Sequence, residues 1–195
     1  MMKRMLLGTA LALAMLASSA YAQGNYNHAE IGAFVNYTRL NAADNTNFYG
    51  AGGRLGFNLS PGVQIEAEGA YDFSRDVNFS VNTAGGGSAS GGVVTSGLRM
   101  VHFLAGPKFQ FGGSSPLRVF VTVKGGLINF STDRSFQGQV NNIPNGVTDA
   151  VLYPAGGIEL FAGWLGLRFE AGDEIYFDHG GNNNLRVTAG PSIRF

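Results

Sequence analysis

The sequence lacks cysteine and has few charged residues. Charged side chains make up 13% of its 195 residues, half of the ~25% usual in soluble domains. The absence of cysteine excludes disulfides, thiol nucleophiles and thiolate zinc sites. Thirteen Lys and Arg are balanced by 13 Asp and Glu, so there is no basic field for a nucleic-acid backbone. Nucleic acid is therefore not an expected partner, and the surface has too few charges for one that faces water throughout.

Long helices are also poorly supported by the composition. Glycine accounts for 30 residues, and each glycine in a helix interior costs roughly 1 kcal/mol relative to alanine. Aromatic residues make up 12% of the chain. Glycine and aromatic residues together favour strands that approach closely at their backbones, and the length suits a single domain.

The N-terminus has the one long apolar run. A basic pair precedes the apolar segment 5–17, and small residues follow it, including Ala20 and Ala22. That order is typical of a secretory signal peptide cleaved after Ala22. This segment of 13 residues is too short for a membrane-spanning helix, which needs about 20. The sequence therefore predicts a signal peptide over 1–22 and one exported domain over 23–195.

The rest of the chain contains eight segments in which apolar and polar residues alternate, which indicates half-buried β-strands. The segments span 28–39, 48–59, 63–73, 98–111, 117–130, 150–161, 164–177 and 185–195. Short connections alternate with long ones, which cover 40–47, 74–97, 131–149 and 178–184. This alternation is typical of an even-numbered up-and-down barrel that crosses a membrane, with loops at one end and turns at the other.

The two faces of the segments differ in the same way from one segment to the next. In the third, Ile65, Ala67 and Tyr71 share one face, and Glu66 and Glu68 share the other. A soluble barrel of this size would need its apolar side chains inside. Here the narrow interior suits the glycine-rich, charged face, so the apolar face should contact lipid. A closed sheet then pairs every backbone polar group within the hydrocarbon.

Aromatic residues lie near both ends of the segments. Those near the loop end are Tyr37, Tyr49, Tyr71, Phe73, Phe130, Tyr176 and Phe177, and those near the turn end are Phe57, Phe109, Phe111, Phe161, Trp164 and Phe195. Two such girdles are expected where a transmembrane barrel meets the bilayer interfaces. The alternative is the aromatic core of a soluble sandwich, which the polar opposite faces disfavour.

With a signal peptide, eight alternating segments and the strand sequences at 103–111 and 186–195, the chain resembles the small bacterial outer-membrane β-barrel family of the OmpA and opacity-protein type. The resemblance covers the whole mature chain. It implies an all-β, eight-stranded antiparallel up-and-down transmembrane β-barrel located in the outer membrane. Its expected partners are outer-membrane lipid, periplasmic chaperones and the barrel-assembly machinery. The last segment resembles the family's insertion signal, which would comprise Ala189, Pro191, Ile193 and Phe195.

The charged residues on the inward faces are the candidate functional residues. Register counted from the turn at 60–62 places Arg54 opposite Glu68 and diagonal to Glu66, which predicts an ion-paired cluster of these three. Ten other charges should also point into the lumen: Glu30, Lys108, Arg118, Lys124, Glu159, Arg168, Glu170, Glu174, Arg186 and Arg194. Unpaired charges there would be costly, so pairing across the lumen is expected. The lumen is then either a polar plug or a narrow gated ion path.

No catalytic, cofactor-binding or metal-binding motif is present in the sequence. The three histidines lack the spacing that places two ligands on one helix face. We therefore predict a protein that is not an enzyme, binds no cofactor, and has a structural or surface role. The alternatives are a narrow porin-like channel for small solutes, an adhesin that acts through its long loops, and, in third place, a soluble periplasmic lipocalin-like binder. The sequence does not identify a surface ligand.

Deletion of Phe195 should leave export intact and reduce insertion into the outer membrane. The terminal strand both presents the assembly signal and closes the sheet against the first strand. Quantifying the variant in membrane and periplasmic fractions tests this, and membrane levels equal to those of the unmodified protein would contradict the assignment.

Overall fold

The computed structural model describes residues 27–41, 45–82, 91–112, 115–132, 147–178 and 180–195. Its eight strands are β1 (Ala29–Leu40), β2 (Thr46–Ser60), β3 (Val63–Asn82), β4 (Gly91–Phe111), β5 (Leu117–Thr132), β6 (Val147–Ala162), β7 (Leu165–Phe177) and β8 (Gly181–Arg194). Each strand pairs antiparallel with the next, and β8 pairs with β1 to close the barrel. The predicted eight-stranded antiparallel barrel is therefore confirmed. The predicted signal peptide, 1–22, and its cleavage residues Ala20 and Ala22 lie outside the described residues.

Within the described segments, no helix is long and apolar enough to cross a membrane.

The barrel has its apolar side chains outside and its charges inside. Val35 and Phe103 are 64% and 63% exposed, whereas Lys108 and Arg186 are fully buried. Successive residues of a strand point to opposite faces, so the period of two in the sequence becomes this inside-outside division. The distribution is the reverse of that in a soluble protein, where Lys and Arg are almost never fully buried unless paired.

The predicted bounds of the long connection, 74–97, are wrong at both ends. β3 continues to Asn82 and β4 begins at Gly91, so these two strands form a hairpin that is longer than any other in the barrel. A register shift between Asp72 and Arg75 marks where the extension begins. Beyond it, residues 75–82 pair with 91–98. The sequence suggested a loop over all of 74–97, but cross-strand pairing extends the sheet into 75–82 and 91–98.

Smaller differences occur at other strand ends. β6 begins at Val147 and β8 at Gly181, each earlier than predicted, while β7 begins one residue later at Leu165. Counting outward from the turn at 60–62 predicts that Leu59 pairs with Val63. In the β2–β3 hairpin, Ser60 pairs with Val63 instead, after a register irregularity. The register of the rest of the hairpin is unaffected.

Three of the predicted girdle residues point into the lumen instead. Phe130, Phe161 and Tyr176 are 6%, 7% and 6% exposed, so their assignment to the lipid face is wrong. Each lies an even number of residues from other inward residues of its strand, so the alternation itself predicts an inward side chain. Their position near a strand end had suggested the membrane interface instead. The outward set that remains well exposed comprises Tyr49, Phe57, Tyr71, Phe73, Phe109, Phe111, Trp164, Phe177 and Phe195.

The last strand closes the barrel at the residues assigned to assembly. Ala189 and Ile193 pair with Val35 and Ile31 of β1. The backbone amide of Phe195 donates to the carbonyl of Ala29 at 2.9 Å, and the amide of Ala29 donates back at 2.8 Å. Pro191, Ile193 and Phe195 have exposed side chains on the outer face. The position of these residues makes β8 the closing strand, while their recognition by assembly factors stays a prediction.

Inward glycines make room for large rings in the lumen. A Cβ added at Gly157 would lie 2.0 Å from Phe169 O and 2.6 Å from the ring of Phe120, and one added at Gly52 would lie 2.4 Å from the ring of Phe34 and 2.5 Å from Gly69 O. Contacts below 3.0 Å force something to move, and a phenyl ring packed in a closed lumen has little room to do so. At these two positions, glycine therefore leaves room both for an inward ring and for the close approach of the neighbouring strand.

Replacing Gly157 by alanine should destabilise the barrel by about 1–3 kcal/mol, the usual cost of overpacking. Gly53→Ala is the matched control, because a Cβ there has Gly32 O at 3.8 Å as its nearest neighbour. Thermal unfolding in detergent, followed by the heat-dependent shift in gel mobility, measures both. Equal stability of the two variants would show that the lumen has free space at Gly157.

Candidate functional site

The centre of the lumen is a buried network of ion pairs that joins strands on opposite sides of the barrel. Glu68 on β3 lies 3.1 Å from Arg54 Nε, 2.6 Å from Lys124 Nζ and 2.7 Å from Arg186 Nη1. These cations belong to β2, β5 and β8. One carboxylate therefore connects four strands through contacts of charge-assisted hydrogen-bond length.

A second carboxylate of β3 collects a different set of cations. Glu66 contacts Lys108 at 3.2 Å and Lys124 at 3.3 Å, and it accepts two hydrogen bonds from the guanidinium of Arg168. Two parallel contacts of this kind are the bidentate geometry for which arginine is suited. Glu159 completes this side of the lumen, at 2.5 Å from Lys108 and 3.2 Å from Arg168.

The predicted triad of Arg54, Glu66 and Glu68 is only partly brought together. Arg54 is the direct cross-strand partner of Glu68, and its other carboxylate contact is Glu170 at 3.7 Å. Glu66 instead pairs with the cations of β4, β5 and β7. Glu170 also contacts Lys124 at 3.1 Å and receives a hydrogen bond from Arg168. The three residues belong to one network, but their ion pairs also involve side chains from strands outside the β2–β3 hairpin.

A histidine connects the network to the loop-end half of the lumen. His102 Nε2 lies 3.0 Å from Asp72 Oδ2, and His102 Nδ1 lies 2.9 Å from Glu174 Oε1. Asp72 also accepts a hydrogen bond of 2.6 Å from Asn36, and Glu174 lies 3.4 Å from Arg186 Nε. An imidazole with both nitrogens facing carboxylates contacts both as a donor only when it carries two N–H groups. The predicted lumen residues Glu174 and Arg186 thus meet here.

Aromatic rings in the lumen support the cations from a second direction. Arg54 lies 4.8 Å from the centroid of the Phe34 ring, and Arg168 and Lys108 lie 4.0 and 5.1 Å from that of Phe120. A cation within about 6 Å of a ring face is attracted by the ring quadrupole, by about 2 kcal/mol or more when desolvated. The rings therefore stabilise the same cations that the carboxylates neutralise.

The loop end of the lumen is closed by apolar side chains, which we call the apolar cap. Its members are Leu40, Phe48, Val77, Leu98, Met100, Leu104, Ile128, Phe130, Val151, Tyr153 and Tyr176. All are buried, and they form one contiguous cluster. The alternation in the sequence predicted a polar inner face along the whole barrel and did not predict this apolar layer. Met100 lies an even number of residues from the inward Lys108, and Ile128 lies an even number from the inward Lys124. This spacing was the signal in the sequence that predicts inward apolar side chains.

Three predicted lumen charges lie apart from the network, at the turn end. Glu30 and Arg194 are cross-strand partners on β1 and β8, and Arg118 is the cross-strand partner of Glu159. Arg194 Nε donates to the carbonyl of Gly163 at 3.0 Å, and Arg118 Nη1 lies 3.5 Å from Gln110 Oε1. Among the described residues, neither arginine has a carboxylate oxygen within 4.0 Å.

Among the residues that the structure places, no group of three or more metal-ligating side chains has the arrangement of an ion site.

Solved structures, but no sequence family, resemble this chain. No family model matches the sequence, and no curated protein sequence matches it. Among solved structures, Neisserial surface protein A superposes with a TM-score of 0.58 at 11% identity, over 86% of this chain and 97% of that one. The outer membrane protein OprG from Pseudomonas aeruginosa gives 0.52 at 9% identity, over 87% and 96%.

A third similar structure is Ail, the attachment invasion locus protein of Yersinia pestis, solved with the heparin analogue sucrose octasulfate. It gives a TM-score of 0.50 at 12% identity, over 87% of this chain and 97% of that one. Identities this low establish the fold. The chain has the closed eight-stranded fold of small outer-membrane β-barrels, and the resemblance drawn from the sequence is confirmed at that level.

Replacing Glu68 by glutamine should destabilise the barrel by about 3–5 kcal/mol, because three buried cations lose a common counter-ion. Asp76→Asn is the control, since Asp76 is exposed. Adding Lys124→Met to Glu68→Gln removes the excess positive charge left by Glu68→Gln and should restore part of the loss, since Glu66 and Glu170 keep Arg168 as a partner when Lys124 is lost. Thermal midpoints in detergent measure all three, and a Glu68→Gln barrel as stable as Asp76→Asn would contradict the role of the network.

Proposed function

We propose that this chain is a non-enzymatic outer-membrane β-barrel whose lumen is a closed, ion-paired plug and whose role is structural or at the cell surface. The observation that carries the proposal is the inversion of the barrel, with apolar side chains outside and an ion-pair network inside. Only a lipid environment makes the outer face favourable, since a contiguous apolar surface of this extent is not tolerated in water.

The outer face supports a transmembrane location in more detail. Trp164, Phe111 and Phe195 lie at the turn end, and Tyr49, Phe73 and Phe177 lie at the loop end, all of them well exposed. Aromatic side chains at two heights, separated by aliphatic ones, match the interfacial belts of membrane barrels. Short turns face the periplasm in such barrels, which would place the apolar cap on the outer side.

A plug is favoured over a channel because side chains occupy the centre and the loop end of the lumen. Eight strands leave an interior just wide enough for side chains. The network fills the middle, and the apolar cap closes the loop end. An ion entering from the loop end would have to cross a layer of buried apolar side chains, which is a strong barrier to charge.

The remaining alternatives depend on parts of the molecule outside this plug. A surface role through adhesion would fall to the loop end, where the long β3–β4 hairpin extends beyond its neighbours. Rigid scaffolds commonly present recognition segments in this way. A soluble lipocalin-like binder would need an apolar interior cavity, whereas the described lumen is charged at its centre. Insertion by the barrel-assembly machinery, with periplasmic chaperones and outer-membrane lipid as partners, completes the proposal.

The proposal predicts that the chain stays with the outer membrane after carbonate or urea washing and carries no steady current in planar bilayers. Arg54→Ala should lower the thermal stability by about 3 kcal/mol or less, because Lys124 and Arg186 still contact Glu68. It should leave conductance near zero. Release by washing would support the soluble binder, and a steady cation-selective current with unchanged thermal stability would move the protein to the channel class.

A further inference from the structure

The turn end of the lumen contains two arginines that converge on one aromatic ring. The guanidinium of Arg194 lies 3.9 Å from the centroid of the Phe161 ring, and that of Arg118 lies 5.1 Å from it. The arginines come from β8 and β5, and the ring comes from β6. Side chains from three strands therefore meet at the mouth of the barrel, beyond the ion-pair network.

Hydrogen-bond donors at this mouth have no partner. Arg118 Nε, Arg194 Nη1 and Ser192 Oγ are each buried without a hydrogen bond, and Ser192 is only 4% exposed. A Cβ built on Gly166 would lie 2.6 Å from Ser192 Oγ and 2.7 Å from the ring of Phe161, so the hydroxyl borders the same space as the ring. Buried donors normally have partners, because leaving one unsatisfied costs about 1–3 kcal/mol.

The charge of this region is also unbalanced. Glu159, the nearest carboxylate of the network, is taken up by Lys108 and Arg168. That leaves Glu30 as the carboxylate of this layer, and among the described residues it has no cation within 4.0 Å. Two guanidinium groups thus share one carboxylate at the mouth, whereas in the network five Lys and Arg side chains and one histidine contact six carboxylates. The excess at the mouth is positive.

We propose that the turn-end mouth of the barrel is an oxyanion site, in which Arg118, Arg194 and the hydroxyl of Ser192 bind a phosphate-type group beside Phe161. Arginine provides planar, charged N–H donors suited to tetrahedral oxyanions, and serine adds a neutral donor. The group enters from the turn end, because both arginines are partly exposed there and the network and apolar cap block the other direction. Glu30 limits the affinity through repulsion at close range.

The shared chemistry is that of a phosphate oxyanion, which is available either as a free phosphate ester or as an anionic lipid headgroup at the inner leaflet. Both would present oxygen acceptors to the same three donors. The turn-end mouth lies at the height of the turns, where lipid headgroups and periplasmic solutes both have access. The experiment therefore includes one arm for each source.

The test is side-chain NMR of the ¹⁵N-arginine-labelled barrel in phosphatidylcholine nanodiscs, titrated with inorganic phosphate and, separately, with chloride at matched ionic strength. The Nε–Hε resonances of Arg118 and Arg194 should shift saturably with phosphate and not with chloride. In the second arm, phosphate is omitted and part of the lipid is replaced by phosphatidylglycerol. Shifts of the same two resonances there identify a headgroup as a source, and shifts with phosphate alone identify a soluble one.

Variants separate a site from general attraction to a basic mouth. Arg118→Gln and Arg194→Gln should each weaken phosphate binding about tenfold, the change expected for one lost charge-assisted hydrogen bond. Ser192→Ala should weaken it less, and Glu30→Gln should strengthen it. Arg39→Gln is the control, because Arg39 is exposed at the far end of β1.

Phosphate binding that is unchanged in the Arg118→Gln/Arg194→Gln double variant would overturn the proposal, as would identical responses to phosphate and chloride. Should either arginine variant fail to insert, the phosphate-against-chloride comparison in the unmodified barrel decides the question on its own. Failure of this test leaves the closed plug intact, since the network does not include Arg118 or Arg194.

Discussion

The narrowness of the lumen is the constraint on which the rest of the structure depends. Eight strands that close on themselves leave an interior filled by side chains, so a charge buried at its centre has to be neutralised by another side chain. Glu68 meets this requirement with cations from three other strands. Because each contact crosses the lumen or a strand boundary, electrostatics and barrel closure stabilise each other, and removing one charge affects the packing of strands distant in sequence.

Neutralising the charges does not by itself fill the space, and aromatic rings and glycines do the rest. Arg168 lies over Phe120, and Phe120 occupies the space that a side chain at Gly157 would need. Buried ion pairs often contribute little net stability because desolvation offsets attraction. Ring faces reduce that cost, since they attract the cation without requiring a second buried anion. Glycine, ring and cation thus form a repeated arrangement along the inner face.

The strand count, antiparallel order and inside-outside division follow from the period of two, so they could be predicted from the sequence. Arg54 opposite Glu68 also follows from counting out of a tight turn. The contacts of Glu66 with Arg168 do not, because they join residues 102 positions apart across a lumen whose geometry depends on strand tilt and shear. Phe161 was misassigned because an aromatic residue near a strand end suits either an interface belt or an inward position. The two positions are distinguished by the spacing from Glu159, which is two residues away and points inward.

The two ends of the lumen differ in chemistry, and the two proposals made for this barrel depend on that difference. At the loop end, Met100, Ile128 and their neighbours form a buried cluster that is mostly apolar, with the hydroxyl of Tyr153 as a buried polar atom within it. At the turn end, Arg118, Arg194 and Ser192 present donors without partners. The proposed plug depends on the loop end and the centre of the lumen, and the proposed oxyanion site depends on the turn end. The two proposals therefore concern different side chains of one interior and do not exclude each other.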